Sequence, residues 1–177
     1  MFDSGRVVSG VPQRLFPNLT NAEDGNFGSL DSFDSDGFTI GANTATNASG
    51  QTFVGWSWLA GNGTSSNTDG SITSTVSVNQ KAGFSVVSYT GNGTSDGSAT
   101  IGHGLSQKPA VIITKMRSQN SGPASTSQWM VYHKDLSGNV TGDNPYMLYL
   151  SGTDAQIDGA DFGLYENITS SSFPVTG

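Results

Sequence analysis

Gly70-Ser71-Ile72-Thr73-Ser74-Thr75-Val76-Ser77-Val78, followed by Gly83-Phe84-Ser85-Val86-Val87-Ser88-Tyr89-Thr90, is the stretch that decides the fold class. A period of two puts Ile72, Ser74, Val76 and Val78 of the first run on one face. The second run stops at the turn Gly91-Asn92-Gly93. Short β-branched and aromatic runs bounded by glycine-rich turns read as strands.

The same grammar extends in both directions. Upstream, Gly50-Gln51-Thr52-Phe53-Val54-Gly55-Trp56-Ser57-Trp58 aligns Thr52, Val54, Trp56 and Trp58 on one face, with Phe53 on the other, ahead of Gly61-Asn62-Gly63. Core packing is the commoner use of tryptophan on such a face, so Trp56 and Trp58 are expected inside. Downstream, Ala99-Thr100-Ile101 leads to the turn Gly102-His103-Gly104-Leu105. Pro109 opens Ala110-Val111-Ile112-Ile113-Thr114-Lys115-Met116, the most apolar run and the expected central core strand. Beyond a loop from Ser118 to Ser127 come Gln128-Trp129-Met130-Val131-Tyr132-His133 and Tyr146-Met147-Leu148-Tyr149-Leu150. Phe162-Gly163-Leu164-Tyr165 and Ser172-Phe173-Pro174-Val175 are weaker strand candidates.

No window of a dozen residues keeps a 3.6 period, and strands do not alternate with helices, which argues against a doubly wound α/β fold. Strands separated by turn signals every ten or so residues point to an antiparallel all-β protein. The expected architecture is a β-sandwich, with a lectin-like jelly roll as one form of it, carrying long polar loops. Residues 1–36 show little pattern beyond Val7-Val8 and Leu15-Phe16 and read as an extended arm or loosely packed strands.

A faint echo runs through the chain. Phe38-Thr39-Ile40-Gly41 after Asp31-Ser32-Phe33-Asp34-Ser35 resembles Phe173-Pro174-Val175-Thr176-Gly177 after Asn167-Ile168-Thr169-Ser170-Ser171. An offset on the order of 130 residues suits a long tandem repeat, the alternative being chance similarity in a low-complexity background. On the repeat reading, residues 1–62 are an arm and the end of one repeat, and 63–177 are the main sandwich unit, the two packing as one domain or as separate pieces.

Composition narrows function. Hydrophobic residues are 34% and charged residues 12% of 177 positions, while 26 Ser, 18 Thr, 13 Asn and 24 Gly make up close to half. Aromatics at 10%, placed in patterned clusters, argue for a folded chain rather than a disordered one. Seven Lys and Arg against 14 Asp and Glu are too few and too scattered to track phosphates, so no nucleic-acid partner is expected. The net charge of −7 keeps the particle soluble and disfavours an anionic membrane surface. With no cysteine there is no disulfide framework, thiolate metal site or thiol nucleophile. No run has the length of a membrane-spanning helix, and Met1-Phe2-Asp3-Ser4-Gly5 does not open a signal peptide.

Candidate site residues are sparse. Gly102-His103-Gly104 places an imidazole in what reads as an exposed turn, a candidate ligand contact against a structural turn residue. The only other histidine is His133, so a metal site there would need carboxylates from distant loops. Asp31, Asp34 and Asp36 are weak calcium candidates against solvated turn carboxylates, and Asp154, Asp158 and Asp161 form a looser set of the same kind. Trp129 follows a polar loop and is a second candidate ligand contact, by stacking on a sugar ring. No Gly-x-Ser-x-Gly elbow or phosphate loop is present, so no catalytic residue, cofactor or metal is assigned and the chain reads as a non-enzyme. Sequons begin at Asn18, Asn47, Asn62, Asn92, Asn139 and Asn167, a number that an Asn-, Ser- and Thr-rich chain generates by chance.

Several elements carry a family resemblance: Phe33-Asp34-Ser35-Asp36-Gly37-Phe38-Thr39-Ile40-Gly41, Asn47 through Trp58, Asn67 through Ser74, Ala82 through Gly93, Ile101-Gly102-His103-Gly104-Leu105 and Trp129-Met130-Val131-Tyr132-His133. In order and spacing this stretch, from Ser32 to Leu136, resembles a repeated domain of unknown function in structural proteins of marine bacteriophages, cyanobacterial podoviruses and myoviruses included. The front end, Phe2-Asp3-Ser4 and Asn18-Leu19-Thr20-Asn21-Ala22-Glu23, is similar too. The apolar strand usual before the Phe-Asp-Ser element is missing, and the chain stops where another Gly-Gln-x-aromatic-Val-x-Trp strand is expected.

The resemblance implies a protein of the virion surface, without catalytic residues. The expected role is a tail or head fibre module in host attachment, bound to other virion proteins and to cell-surface carbohydrate, and assembled as a homo-oligomer such as a trimer. The alternatives are a capsid decoration or cement protein and a fragment of a fibre-borne depolymerase. In each, open sheet edges are places where a partner subunit completes the fold.

Overall fold

The computed structural model describes residues 1–25, 27–61, 63–118, 127–136, 145–158 and 167–176. It is all-β, built from antiparallel sheets, none of which closes into a barrel among the described residues. β1 (Val7–Val8), β2 (Val11–Arg14) and β3 (Asp24–Gly25) form an N-terminal sheet, and β4 (Ser32–Phe33) pairs β5 (Phe38–Thr39) in a hairpin. One helical turn, α1 (Thr44–Asn47), is capped by Asn43, whose side chain accepts from the Ala45 amide at 2.8 Å. β6 (Ser65–Asn67), β7 (Ser74–Asn79) and β8 (Phe84–Tyr89) form a three-stranded sheet with β7 in the middle. β9 (Ala99–Gly102) pairs the last strand, β14 (Ser172–Val175). β10 (Val111–Thr114), β11 (Met130–His133), β12 (Tyr146–Tyr149) and β13 (Ile157–Asp158) form a four-stranded sheet in that order.

The three C-terminal sheets share one core. Ala99 and Ile101 from β9, Ile112, Tyr132 and Met147 from successive strands of the four-stranded sheet, and Phe173 and Val175 from β14 are all buried, with Ile168 beside them. Ile72, Val87 and Tyr89 add the apolar face of the β6–β8 sheet, so side chains from several sheets meet as in a sandwich. The alternation read from Gly70 to Val78 holds as far as Val76: Ser74 and Val76 are buried with Thr75 exposed between them, and Ile72 makes a parallel bridge to Ile101, but Ser77 on the other face is buried as well, its Oγ donating to the Gly61 carbonyl at 3.1 Å, and Val78 is half-buried. That bridge needs Gly70, because a Cβ there would lie 2.3 Å from the Thr100 carbonyl oxygen.

Two expectations are corrected. The run Gly50 to Trp58 is not a strand, and Trp56 (76% exposed) and Trp58 (67%) lie outside the core. Its neighbours are side chains rather than a ladder: Trp58 stacks on Phe84 of β8, with centroids 6.3 Å apart, and Gly55 lies beside the ring of Phe38. Second, the Val111 run stands at one end of its sheet among the described residues rather than at the centre. Ile112 is buried, but Val111 and Ile113 on the opposite face are 47% and 46% exposed. The weaker candidate Ser172–Val175 is a strand as read, and it lies in the core, registered on β9 through Phe173↔Ile101 and Val175↔Ala99. Phe162 to Tyr165 and Asp161 lie outside the described residues.

The N-terminal residues are pinned by side chains. Trp129 donates its indole N–H to the carbonyls of Phe16 (2.8 Å) and Leu19 (3.1 Å), and Lys115 donates to the Thr20 carbonyl at 3.2 Å. These bonds cross the 62/63 boundary and tie the arm to the four-stranded sheet.

Candidate functional site

The structure takes both candidate ligand contacts out of solvent. His103 is 2% exposed, correcting the reading of an exposed imidazole. Its Nδ1 accepts from the Leu105 amide at 3.1 Å, which leaves the proton on Nε2, directed at the Thr169 carbonyl at 3.4 Å. The ring stacks on Phe173, with centroids 6.4 Å apart. Desolvation pushes its pKa down, outweighing the opposing pull of the Thr169 carbonyl and of Asp69, so the ring is held neutral. Trp129 is equally buried, and its N–H is taken up by the two carbonyls named above, so no ring face is offered to a sugar.

The acidic candidates do not converge. Asp34 sits in the β4–β5 hairpin, where one carboxylate oxygen accepts from Ser32 Oγ (2.7 Å) and the other from Thr39 Oγ1 (2.8 Å). Those two bonds hold its pKa below the ordinary carboxylate value. The Asp31 amide donates to the Thr39 carbonyl, and both Asp31 and Asp36 face solvent. Among the described residues no three His, Asp or Glu side chains gather as a metal cage. His133 is exposed at the end of β11, its Nδ1 accepting from the Asp135 amide.

One charged centre went unread in the sequence. Arg6, buried, ion-pairs with Asp3 and donates to Glu23 Oε2 at 2.5 Å. Arg117 grips the same carboxylate with two prongs, Nε to Oε2 at 2.9 Å and Nη2 to Oε1 at 2.8 Å, and donates to Ser88 Oγ at 2.8 Å. Burial raises the Glu23 pKa, but the hydrogen bonds and charges of Arg117 and Arg6 outweigh it, and the net shift is downward. This is a clasp between arm and sheet, with every charged group engaged by another.

Two kinds of surface remain. The first is a set of polar loops whose side chains fold back on their own backbone. Asn92 accepts from the Thr94 amide (3.1 Å), Asp96 from Ser98 (3.0 Å) and Asn67 from Asp69 (2.9 Å). Such Asx turns preshape a loop before anything binds it. The second is the segment Gln51 to Leu59, every residue of which is exposed, including Phe53, Val54, Trp56, Trp58 and Leu59. Its pattern was legible as an apolar strand, whereas its exposure was not.

A family model described as a domain of unknown function, DUF7483, matches residues 2–177. The chain belongs to this family. The match spans the arm and the sheets together. No curated protein and no solved structure matches it.

Proposed function

We propose that this DUF7483 domain is a non-enzymatic structural protein of a bacteriophage virion, a fibre module on the tail or head that contacts the host surface through its polar loops. The observation that carries the reading is the preshaped loop set. Asn67, Asn92 and Asp96 fix loops rich in Gly, Ser, Thr and Asn on a β framework, so little conformational freedom is lost when polar groups such as sugar hydroxyls engage them. The resemblance of Ser32 to Leu136 to phage structural proteins supports it. So does the use of Glu23, Arg6, Arg117 and His103 as internal fasteners rather than as a cluster open to substrate. Repetition along a fibre would let individually weak loop contacts hold a cell.

A second reading, a capsid decoration protein, is favoured by the exposed apolar segment Gln51 to Leu59, which suits permanent burial against a neighbouring subunit. Antibody-gold labelling of intact phage particles separates the two: label on fibres supports the first, label spread over the head supports the second, and label on neither removes both. Release of reducing ends from host polysaccharide by the purified chain would overturn the non-enzymatic part.

A further inference from the structure

Phe53, Val54, Trp56, Trp58 and Leu59 are each between 55% and 77% exposed, and they fall within one short run of the chain. Single exposed apolar side chains are ordinary on a protein surface, but several side by side make a patch. The backbone beneath them runs from Gln51 to Gly61 without a turn, bend or helical residue. Among the described residues, Thr52 to Trp58 make no hydrogen bond. The segment is held near its ends and from one side. Gln51 donates its amide to the Ala48 carbonyl, and the Leu59 carbonyl accepts from the Asn79 side chain at 3.4 Å. Trp58 stacks on Phe84, and the Phe38 ring lies beside Gly55. Phe38 is itself half exposed and carries the apolar surface onto the β4–β5 hairpin.

Charge is absent from the same stretch. Gly37 to Thr68 holds no Asp, Glu, Lys, Arg or His, in a chain whose net charge is −7. A surface that meets its own copy across a two-fold axis sets each residue near its twin, so a charge close to the axis is repelled by a like charge. This face carries none. Its area fits as well. At roughly 200–250 Å² for an exposed aromatic side chain and about 100 Å² for an aliphatic one, these residues with Phe38 present roughly 700 Å². A standard specific interface buries about 800 Å² on each partner. The backbone argues against a lipid bilayer as the occupant. Unpaired amides and carbonyls are costly in hydrocarbon, whereas a second strand pairs them.

We infer that two copies of this chain associate across a two-fold axis at Gly55, with their Thr52–Trp58 segments side by side and antiparallel. Centred there, Val54 of one copy faces Trp56 of the other, Thr52 faces Trp58 and Phe53 faces Ser57. Gly55 meets its own twin, with no side chain on the axis to collide with itself. Alternation puts Val54 and Trp56 of both copies on one face as a single apolar cluster. The inference rests on the exposed segment and does not depend on the virion assignment.

The test uses the full chain. Light scattering should give the mass of two chains. Val54→Asp and Trp56→Asp each set like charges against one another across the axis. Each should give the mass of one chain with an unchanged far-ultraviolet spectrum, since both side chains face solvent in the single chain. The register has its own test, because the chain has no native cysteine. Directly opposite residues of an antiparallel pair lie about 4.5–5.5 Å apart at Cα, within disulfide reach. A Cβ at Gly55 is in ordinary contact with Phe38 at 3.6 Å, so the site accepts a side chain. Gly55→Cys should link to its own copy under mild oxidant on the order of 100-fold faster than Ser95→Cys, because a paired thiol meets its twin at a millimolar effective concentration. Ser95 is an exposed loop residue far from the axis in sequence. A chain that stays single at its highest soluble concentration, or that forms a trimer, overturns the inference. A dimer that survives Val54→Asp and Trp56→Asp, or that links Gly55→Cys no faster than Ser95→Cys, overturns it as well. Uptake of the single chain by phosphatidylcholine vesicles, lost in Trp56→Asp, would overturn it in favour of a membrane. Particle labelling bears on the virion assignment alone.

Discussion

Glu23 and Arg117 lie 94 positions apart in sequence and meet as a two-pronged ion pair at 2.8 and 2.9 Å, joining the N-terminal arm to the segment that follows β10. Around that contact the Glu23 amide also donates to the Arg117 carbonyl at 2.9 Å. Arg6 completes the clasp from the arm side.

Glu23→Gln should therefore be among the most damaging single changes. It keeps the shape but leaves the buried Arg6 guanidinium without its full counter-charge, and breaking a buried pair in this way costs about 3 kcal/mol. A urea titration reads it as a lower midpoint. A midpoint equal to that of the parent would show that the clasp does not hold the arm.

Acid should destabilise the protein in two stages. His103 has a lowered folded pKa, so the unfolded chain binds its proton first, and stability falls as pH drops below about 6.5 with a slope of at most about 1.4 kcal/mol per pH unit. Glu23 also has a lowered folded pKa, so its contribution is complete above about pH 4.3 and is lost as pH falls through the folded value. Thermal melts across pH should show both stages. In His103→Asn the upper stage should vanish while the lower persists, and an unchanged upper stage would rule out His103 as its source.

Ile112 and Ile113 are neighbours on β10 that face opposite ways. Ile112→Ala should cost about 2–5 kcal/mol, the usual range for a buried isoleucine, whereas Ile113→Ala on the open face should cost well under that. Equal losses in denaturant melts would contradict the assignment of Ile112 to the buried face of β10 and Ile113 to the open one.

Gly70→Ala should destabilise by about 1–3 kcal/mol, because its methyl would press on the Thr100 carbonyl and the Gly102 amide at the Ile72–Ile101 bridge. Gly37→Ala, with nothing within 4 Å of the added methyl, is the control and should shift stability by no more than about 0.5 kcal/mol. Calorimetry of the two variants side by side decides it.

Much of this protein follows from local chemistry. Period-two runs such as Ser74 to Val78 and Phe84 to Tyr89, bounded by glycine-rich turns, specify strands because backbone pleat and side-chain alternation are local properties. The same runs name which side chains are apolar enough to bury. Partnership is not local. Val111 to Ile113 looks like a central strand and stands at one end of its sheet among the described residues, Ser172 to Val175 looks weak and closes the core, and Trp56 looks buried and faces water. Likewise Glu23 and Arg117 show no sequence sign of each other, and His103 reads as a solvent-exposed turn residue until Phe173 covers it. A sequence states what each strand is able to bury. Only the tertiary arrangement decides whether a neighbour is there to bury it against, because a strand is stabilised by the edge and face it meets, and these come from segments far away in the chain.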